Sequence, residues 1–371
     1  MTVPPADPSG GSDAHEAPGR AIARLVAERS IVVCCGAGGV GKTTTAAVLA
    51  AQAAGDGRRA VVVTIDPAKR LADALGLDGL TNDPSRVDGS WPGELWAVML
   101  DTKGTFDRLV ERYAPDETQV ERILSNRFYR NISAALSGTQ EYMAAEKLYE
   151  LHEDERFDVV VVDTPPTRNA LDFLEAPARL TRFLDHRIYR ALTTPTRVGL
   201  KVVNVAAQAF LRTLSRVVGG EAIADAIAFF QAFDGMEEGF RARAQVVAGL
   251  LESADTAYVI VTAPRRDTVI EARFFAQQLV AKHAPVAGII VNRVHPRFAP
   301  DRVAKRGRRG AHRAELEANL AELTTVAERE AAVLEPLAAE LSSTPIATVP
   351  LLALDVHDLG GLAAIAEHLF R

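Results

Sequence analysis

The chain has 371 residues, 48% of them hydrophobic and 24% charged, with a formal net charge of −6. That length and apolar content suit one large α/β unit with an insertion, or two domains, and the acidic balance excludes a generally basic, nucleic-acid-coating surface. No apolar run reaches the ~20 residues that span a bilayer, the first residues lack the basic-then-apolar layout of a secretion signal, and no C-x-x-C pair offers a thiolate zinc site, so cytoplasmic residence without a nucleic-acid partner is expected.

Residues 1–19 are rich in Pro, Gly, Ser, Asp and Ala and have little to bury, so a disordered tail is expected there. A short helix over 20–28 follows, then an apolar strand over 30–35 that carries both cysteines, Cys34 and Cys35. Strand neighbours point to opposite faces, so these thiols read as small buried residues.

The next stretch is Gly36-Ala37-Gly38-Gly39-Val40-Gly41-Lys42-Thr43-Thr44, which matches G-x-x-x-x-G-K-[ST]. Its glycines let the backbone curl until successive N–H groups face an anion. The Ala-rich helix expected over 43–54 adds its positive end to the same point. Lys42 is placed to reach the β- and γ-phosphates of a nucleotide, Thr44 to assist the loop amides, and the Thr43 hydroxyl to hold Mg²⁺. ATP and Mg²⁺ are the expected ligands. The same residues also read as G-x-G-x-x-G, through Gly36, Gly38 and Gly41, which is a dinucleotide fingerprint. Lys42-Thr43 argues against that alternative, because a dinucleotide turn needs neither a cation nor a metal-binding hydroxyl there.

A continuous β-branched strand over 60–65 suits a parallel sheet covered on both faces. It ends in Asp66, on the sheet edge where open α/β folds bind ligands. Asp66 reads as a Mg²⁺-water ligand and the carboxylate that orients an attacking water, or as a helix N-cap ahead of Pro67; both roles are compatible. A third strand is expected over 95–100, then helices over 105–151 interrupted by a polar junction at 126–140. The fourth strand, over 157–162, ends in Asp163, the second metal-supporting position of a phosphate-loop NTPase. Residues 175–250 read as a helical block. Strands over 256–261 and 286–291 follow, the latter ending in Asn292, whose amide can pair with an adenine edge or serve as a cap. A charged helix over 314–341 is expected to break at Pro336. A last strand over 346–349 leads into Pro350-Leu351-Leu352 and a closing helix over 359–370.

With these motifs in order, the chain resembles the ArsA-type ATPases, which include the arsenite-pump ATPase and the factor that targets tail-anchored membrane proteins. The resemblance covers roughly residues 30–370. Asp66-Pro67-Ala68 with Leu71-Ala72-Asp73 looks like the family's switch I, and Asp163-Thr164 with Pro166-Thr167 like its switch II. Val291-Asn292 and Pro350-Leu351-Leu352 look like its adenine-side elements. The resemblance implies an α/β P-loop NTPase with a mostly parallel sheet flanked by helices. It also implies a helical subdomain drawn from about 105–151 and 175–250, within one ATPase domain over 20–371. It further implies a dimer around two nucleotides, as a homodimer or with a paralogous subunit, and a hydrophobic protein client or membrane-protein partner.

The departures are specific. The family's signature lysine would occupy position 37, where this chain has Ala37, so the resemblance implies either a lysine-bearing paralogue or replacement by Arg168 or Lys69. The family usually has Gly-His where this chain has Arg168-Asn169. The arsenite-binding cysteines and the interfacial zinc pair have no counterpart, since Cys34 and Cys35 precede the loop, so arsenite transport and zinc-clasped dimerisation are not expected. A positioning-type ATPase that binds membrane or DNA, and a non-catalytic nucleotide-sensing subunit, remain alternative readings.

Overall fold

Eight strands make one sheet in the order β3-β4-β2-β5-β1-β6-β7-β8. They are β1 (Ile31–Gly36), β2 (Arg59–Thr64), β3 (Ser85–Arg86), β4 (Glu94–Met99), β5 (Val159–Asp163), β6 (Thr256–Thr262), β7 (Val286–Val294) and β8 (Ile346–Pro350). All pair in parallel except the two-residue β3, which runs antiparallel to β4. The structure, a computed structural model, describes residues 16–66, 70–132, 139–165, 167–186, 220–284, 286–298, 311–353 and 355–371.

The strand order follows from burial. β1, β5 and β6 are buried along their whole length, and β2 everywhere but Arg59. Such Val- and Ile-rich runs are stable only between two helical layers. One layer holds α1 (Pro18–Glu28), α2 (Lys42–Gly55), α3 (Arg70–Leu75) and the closing helix. The other holds α4 (Thr102–Tyr113), α5 (Glu117–Leu124), α6 (Arg127–Ile132), α7 (Thr139–His152), α8 (Thr167–Asp185), α9 (Gly220–Gln231), α10 (Glu237–Glu252) and α11 (Arg266–Ala281). The long α12 (Ala311–Glu340) joins that second layer through Leu337, and the closing helix, α13 (Leu359–Leu369), packs on the first through Leu362, Ile365 and Leu369. Cys34 faces the first layer and Cys35 the second, as strand alternation requires.

Three local expectations are corrected. The first helix begins at Pro18 rather than at 20, and Gly19 is buried, packed where an added Cβ would meet the Leu369 and Arg371 carbonyls. Two residues assigned to the tail are thus part of the fold, while residues 1–15 lie outside the described ones. The polar junction after 126 contains α6, because the Asn126 side chain caps it from the Phe128 and Tyr129 amides. α12 runs through Pro336 without breaking. A proline removes one helical hydrogen bond, and here the adjoining Leu337 is anchored in the core with Val333 and Leu334 packed beside it.

The helical regions at 105–151 and 175–250 meet over aromatic side chains. Tyr129 stacks on Phe229 at 5.8 Å, Phe106 lies 6.0 Å from Phe233, and Tyr113 lies 5.4 Å from Phe240. Residues 187–219, including the apolar stretch at 198–218, lie outside the described ones.

Candidate active site

The strand order puts β1 between β5 and β6, so the carboxyl ends of β2, β5 and β1 lie side by side. A dinucleotide-binding sheet sets its first two strands adjacent; here β5 separates them. The register is close: Cys34 pairs with Asp163 across β1–β5, and Thr64 pairs with Asp163 across β2–β5. The loop at 36–41 therefore rises beside Asp163 and leads directly into α2.

Backbone geometry explains two of the loop's glycines. Gly36 has φ +155°, and a Cβ there would sit 2.0 Å from the Val261 carbonyl oxygen of β6. Gly41 is the residue before α2, with φ +94°, and a Cβ there would sit 2.3 Å from Asn292 Nδ2. Only glycine adopts both the conformation and the close approach.

Asp163 is the electrostatic centre. It is 1% exposed. Its Oδ2 accepts from Thr43 Oγ1 at 2.7 Å and from Thr64 Oγ1 at 2.9 Å. Its Oδ1 is buried and has no hydrogen-bond partner among the described residues. Burial pushes the carboxyl's pKa up, while the two hydroxyls and the Lys42 ammonium pull it back. Lys42 is also buried, which lowers its pKa, and Asp163 is its strongest compensating charge, with Asp66 a further one. Lys42 Nζ donates to the Ala37 carbonyl at 2.8 Å, so the side chain folds along its own loop. Asp66, half-buried, sits at the end of β2, with Arg70 3.8 Å from its carboxylate. Its N–H donates to Thr64 Oγ1 at 3.2 Å.

On the other side of β1, Asn292 is 8% exposed. Its Nδ2 donates to the Val40 carbonyl at 3.0 Å, and its Oδ1 accepts from the Arg293 N–H at 2.9 Å. Pro350 pairs with Val294 across β7–β8, which sets it at the neighbouring strand end. Of the residues expected from sequence, the loop, Asp163, Asp66, Asn292 and Pro350 all gather at this edge. Lys69 and the Arg168 side chain lie outside the described ones. Two participants were missed. Thr64 reads in sequence as one more β-branched strand residue, and only the β2–β5 register reveals its bond to Asp163. Arg293, with φ +61° and its Nη1 3.4 Å from the Gly39 carbonyl, left no signal beyond following Asn292.

The residues fit a magnesium–nucleotide pair. Among the described residues no cluster of three or more His, Cys, Asp or Glu can hold a metal by itself. Magnesium bound through one or two protein oxygens, with phosphate and water completing its octahedron, needs only such a sparse set. Thr43 Oγ1 and Asp163 Oδ1, which has no partner among the described residues, could supply it. The cysteines do not compete: both are buried, and burial pushes Cys35 up to about 12 and Cys34 well above the ordinary thiol value. A thiol held protonated is a poor metal ligand.

A mostly parallel sheet flanked by helices, with a glycine loop between β1 and α2 and an aspartate ending the adjacent strand, defines an α/β P-loop NTPase fold. The profile of the family described as anion-transporting ATPases matches residues 29–371. The chain belongs to that family, the ArsA-type ATPases. It is 28% identical over 263 residues to an ATPase ASNA1 homolog of Dictyostelium discoideum, covering 70% of each chain. It is 31% identical over 166 residues to the Babesia bovis ATPase ASNA1 homolog, 44% of each chain. It is 30% identical over 167 residues to a putative arsenical pump-driving ATPase of Halobacterium salinarum, 43% of this chain and 26% of that one. The chain thus spans less than half of the Babesia relative's length. No helix among the described residues is long and apolar enough to cross a membrane.

Proposed function

We propose that this chain binds and hydrolyses Mg-ATP, and that its nucleotide state controls dimer conformation and the binding of a partner through the helical region. The observation that carries the reading is the buried Asp163, bonded to Thr43 and Thr64 and with one oxygen unpartnered among the described residues. A buried carboxylate with an idle oxygen is costly unless a cation completes it.

In this reading the loop amides, Lys42 and Thr44 hold the phosphates. Thr43 and, through water, Asp66 and Asp163 would hold magnesium, which would neutralise charge on the phosphate oxygens. Asp66 orients the attacking water. Asn292 and Pro350 border the base. Catalysis is positioning and electrostatics rather than covalent chemistry. The route to the helical region is short: Gln140 of α7 donates to the Ile65 carbonyl, immediately before Asp66, at 3.4 Å. A shift at Asp66 is thereby felt by α7, and α7 packs on α8 and α10 of the same layer.

One observation favours a second reading. Ala37 is 5% exposed and offers no charge where the family carries its signature lysine. An in-trans cation of the arginine-finger kind accelerates phosphoryl transfer by ~10³–10⁵. On this reading the chain senses nucleotide and needs a lysine-bearing paralogous subunit for turnover. Steady-state phosphate release from the purified protein with Mg-ATP separates the two, with Asp66→Asn as the reference. Release above the reference, with ATP still bound by the variant, supports hydrolysis within this chain. Bound ATP without release supports the incomplete site. Equal release from both proteins removes Asp66 from the mechanism.

A further inference from the structure

Two consecutive residues of β7 grip two consecutive carbonyls of the phosphate loop. Asn292 Nδ2 donates to the Val40 carbonyl at 3.0 Å, and Arg293 Nη1 donates to the Gly39 carbonyl at 3.4 Å. The strand is deformed at this point. The β7–β8 register shifts between Val291 and Val294, and Arg293 has φ +61°. A non-glycine residue in that region is uncommon and marks a position held by its surroundings. Here the Arg293 N–H closes onto Asn292 Oδ1 at 2.9 Å, which fixes the rotation of the Asn292 amide so that Nδ2 faces the loop. Asn292 is also packed so tightly on Gly41 that a Cβ at Gly41 would lie 2.3 Å from its Nδ2.

We propose that Asn292 and Arg293 are a positioning clamp for phosphate binding, independent of the nucleotide base. The reason is peptide planarity. In a trans peptide the C=O and the following N–H point in opposite directions. Holding the Gly39 and Val40 carbonyls toward β7 therefore turns the Val40 and Gly41 N–H groups away from β7. Lys42 does the same from within the loop by holding the Ala37 carbonyl, which orients the Gly38 N–H. Three loop peptides are thus preset, and an anion nest needs its N–H groups converging before the anion arrives. The clamp rests on the nucleotide-site reading above, and it assigns Asn292 a phosphate-side role in addition to any contact with adenine.

The two roles separate by ligand. Affinities of the full chain for Mg-ATP, Mg-GTP and magnesium pyrophosphate are measured by competition against a fluorescent ATP analogue, for wild type, Asn292→Ala, Arg293→Gly and Arg293→Lys. Arg293→Gly keeps the backbone conformation while removing the guanidinium. The melting temperature without ligand reports folding of each variant. The clamp predicts that Asn292→Ala weakens all three ligands alike, by roughly tenfold, the worth of one buried hydrogen bond. It predicts a smaller, equally base-independent loss in Arg293→Gly that Arg293→Lys partly restores. A loss confined to ATP, with pyrophosphate bound as by wild type, overturns the clamp and leaves Asn292 as an adenine reader. Unchanged affinity for all three ligands in both Asn292→Ala and Arg293→Gly also overturns it. Wild type that binds none of the three overturns the nucleotide-site reading itself.

Discussion

The nucleotide edge and the helical layer opposite α2 are built on different physics. At the edge, few atoms matter and each is held by backbone geometry or buried charge. Gly36 and Gly41 are there because any Cβ collides, and Asp163, Lys42, Thr43 and Thr64 are linked by hydrogen bonds and by mutual electrostatics in a dry setting. In the helical layer the organising matter is volume. Phe106, Tyr129, Phe229, Phe233 and Phe240 fill the space between α4, α6, α9 and α10 with centroid separations of 4.9–6.0 Å along the chain of contacts. The one buried ion pair in that layer among the described residues, Arg243 to Glu146 at 2.5 Å, lies under the Tyr149 ring, which is 3.7 Å from the guanidinium. The contrast teaches that the edge is held by backbone geometry and by a few charged groups around Asp163, whereas the helical layer is held mainly by packing; a buried carboxylate oxygen without a partner among the described residues occurs in both, at Asp163 Oδ1 and at Glu146 Oε2.

Three substitutions sharpen that division. Phe229→Ala should have the largest effect, about 3–5 kcal/mol of stability from the lost transfer energy and the cavity, read by denaturant unfolding. ATP affinity of the fraction still folded should stay within a few-fold of wild type. A comparable loss of affinity would break the separation between the two regions. Lys42→Ala should show the opposite profile: ATP binding or turnover down by about 100-fold or more, with the melting temperature held or raised, since a desolvated ammonium is removed. Unchanged activity would remove the loop from the function. Thr64→Val keeps the side-chain volume and deletes one donor to Asp163. About tenfold weaker Mg²⁺ dependence of ATP affinity is expected, from one hydrogen bond to a charged group, with little change in nucleotide affinity without metal.

The smallest effect lies far from both regions. Asp158 accepts from the Arg59 side chain and N–H, and these bonds hold its carboxyl below the ordinary value. A carboxylate with a lowered folded-state pKa stabilises above its unfolded pKa, and that contribution fades as pH falls through the folded one. The melting-temperature gap between wild type and Asp158→Asn should therefore be open at neutral pH, narrow in acid, and shrink with salt because the pair is largely exposed. A gap that widens in acid would reverse the assignment.

Much of the nucleotide edge was legible because its signals are local. A glycine pattern followed by Lys-Thr, and strands ending in Asp66 and Asp163, need no knowledge of distant residues. The helical layer was legible as helix by periodicity, but α6 hid in a polar stretch, because a cap made by Asn126 outweighs poor apolar patterning. Pro336 was read as a break because propensity sees the lost bond and not Leu337 anchored beside it.

The sequence by itself determined the parallel sheet, the phosphate loop and the carboxylates at the strand ends. These follow from residue type, strand ends and short spacing. Only the tertiary structure decided that β5 lies between β2 and β1, that Thr64 therefore shares Asp163 with Thr43, and that Asn292 and Arg293 turn onto the loop. Contacts across 99, 120 and 252 residues of chain depend on register and on a local distortion of one strand. Those are properties of strand pairing, which no single segment encodes.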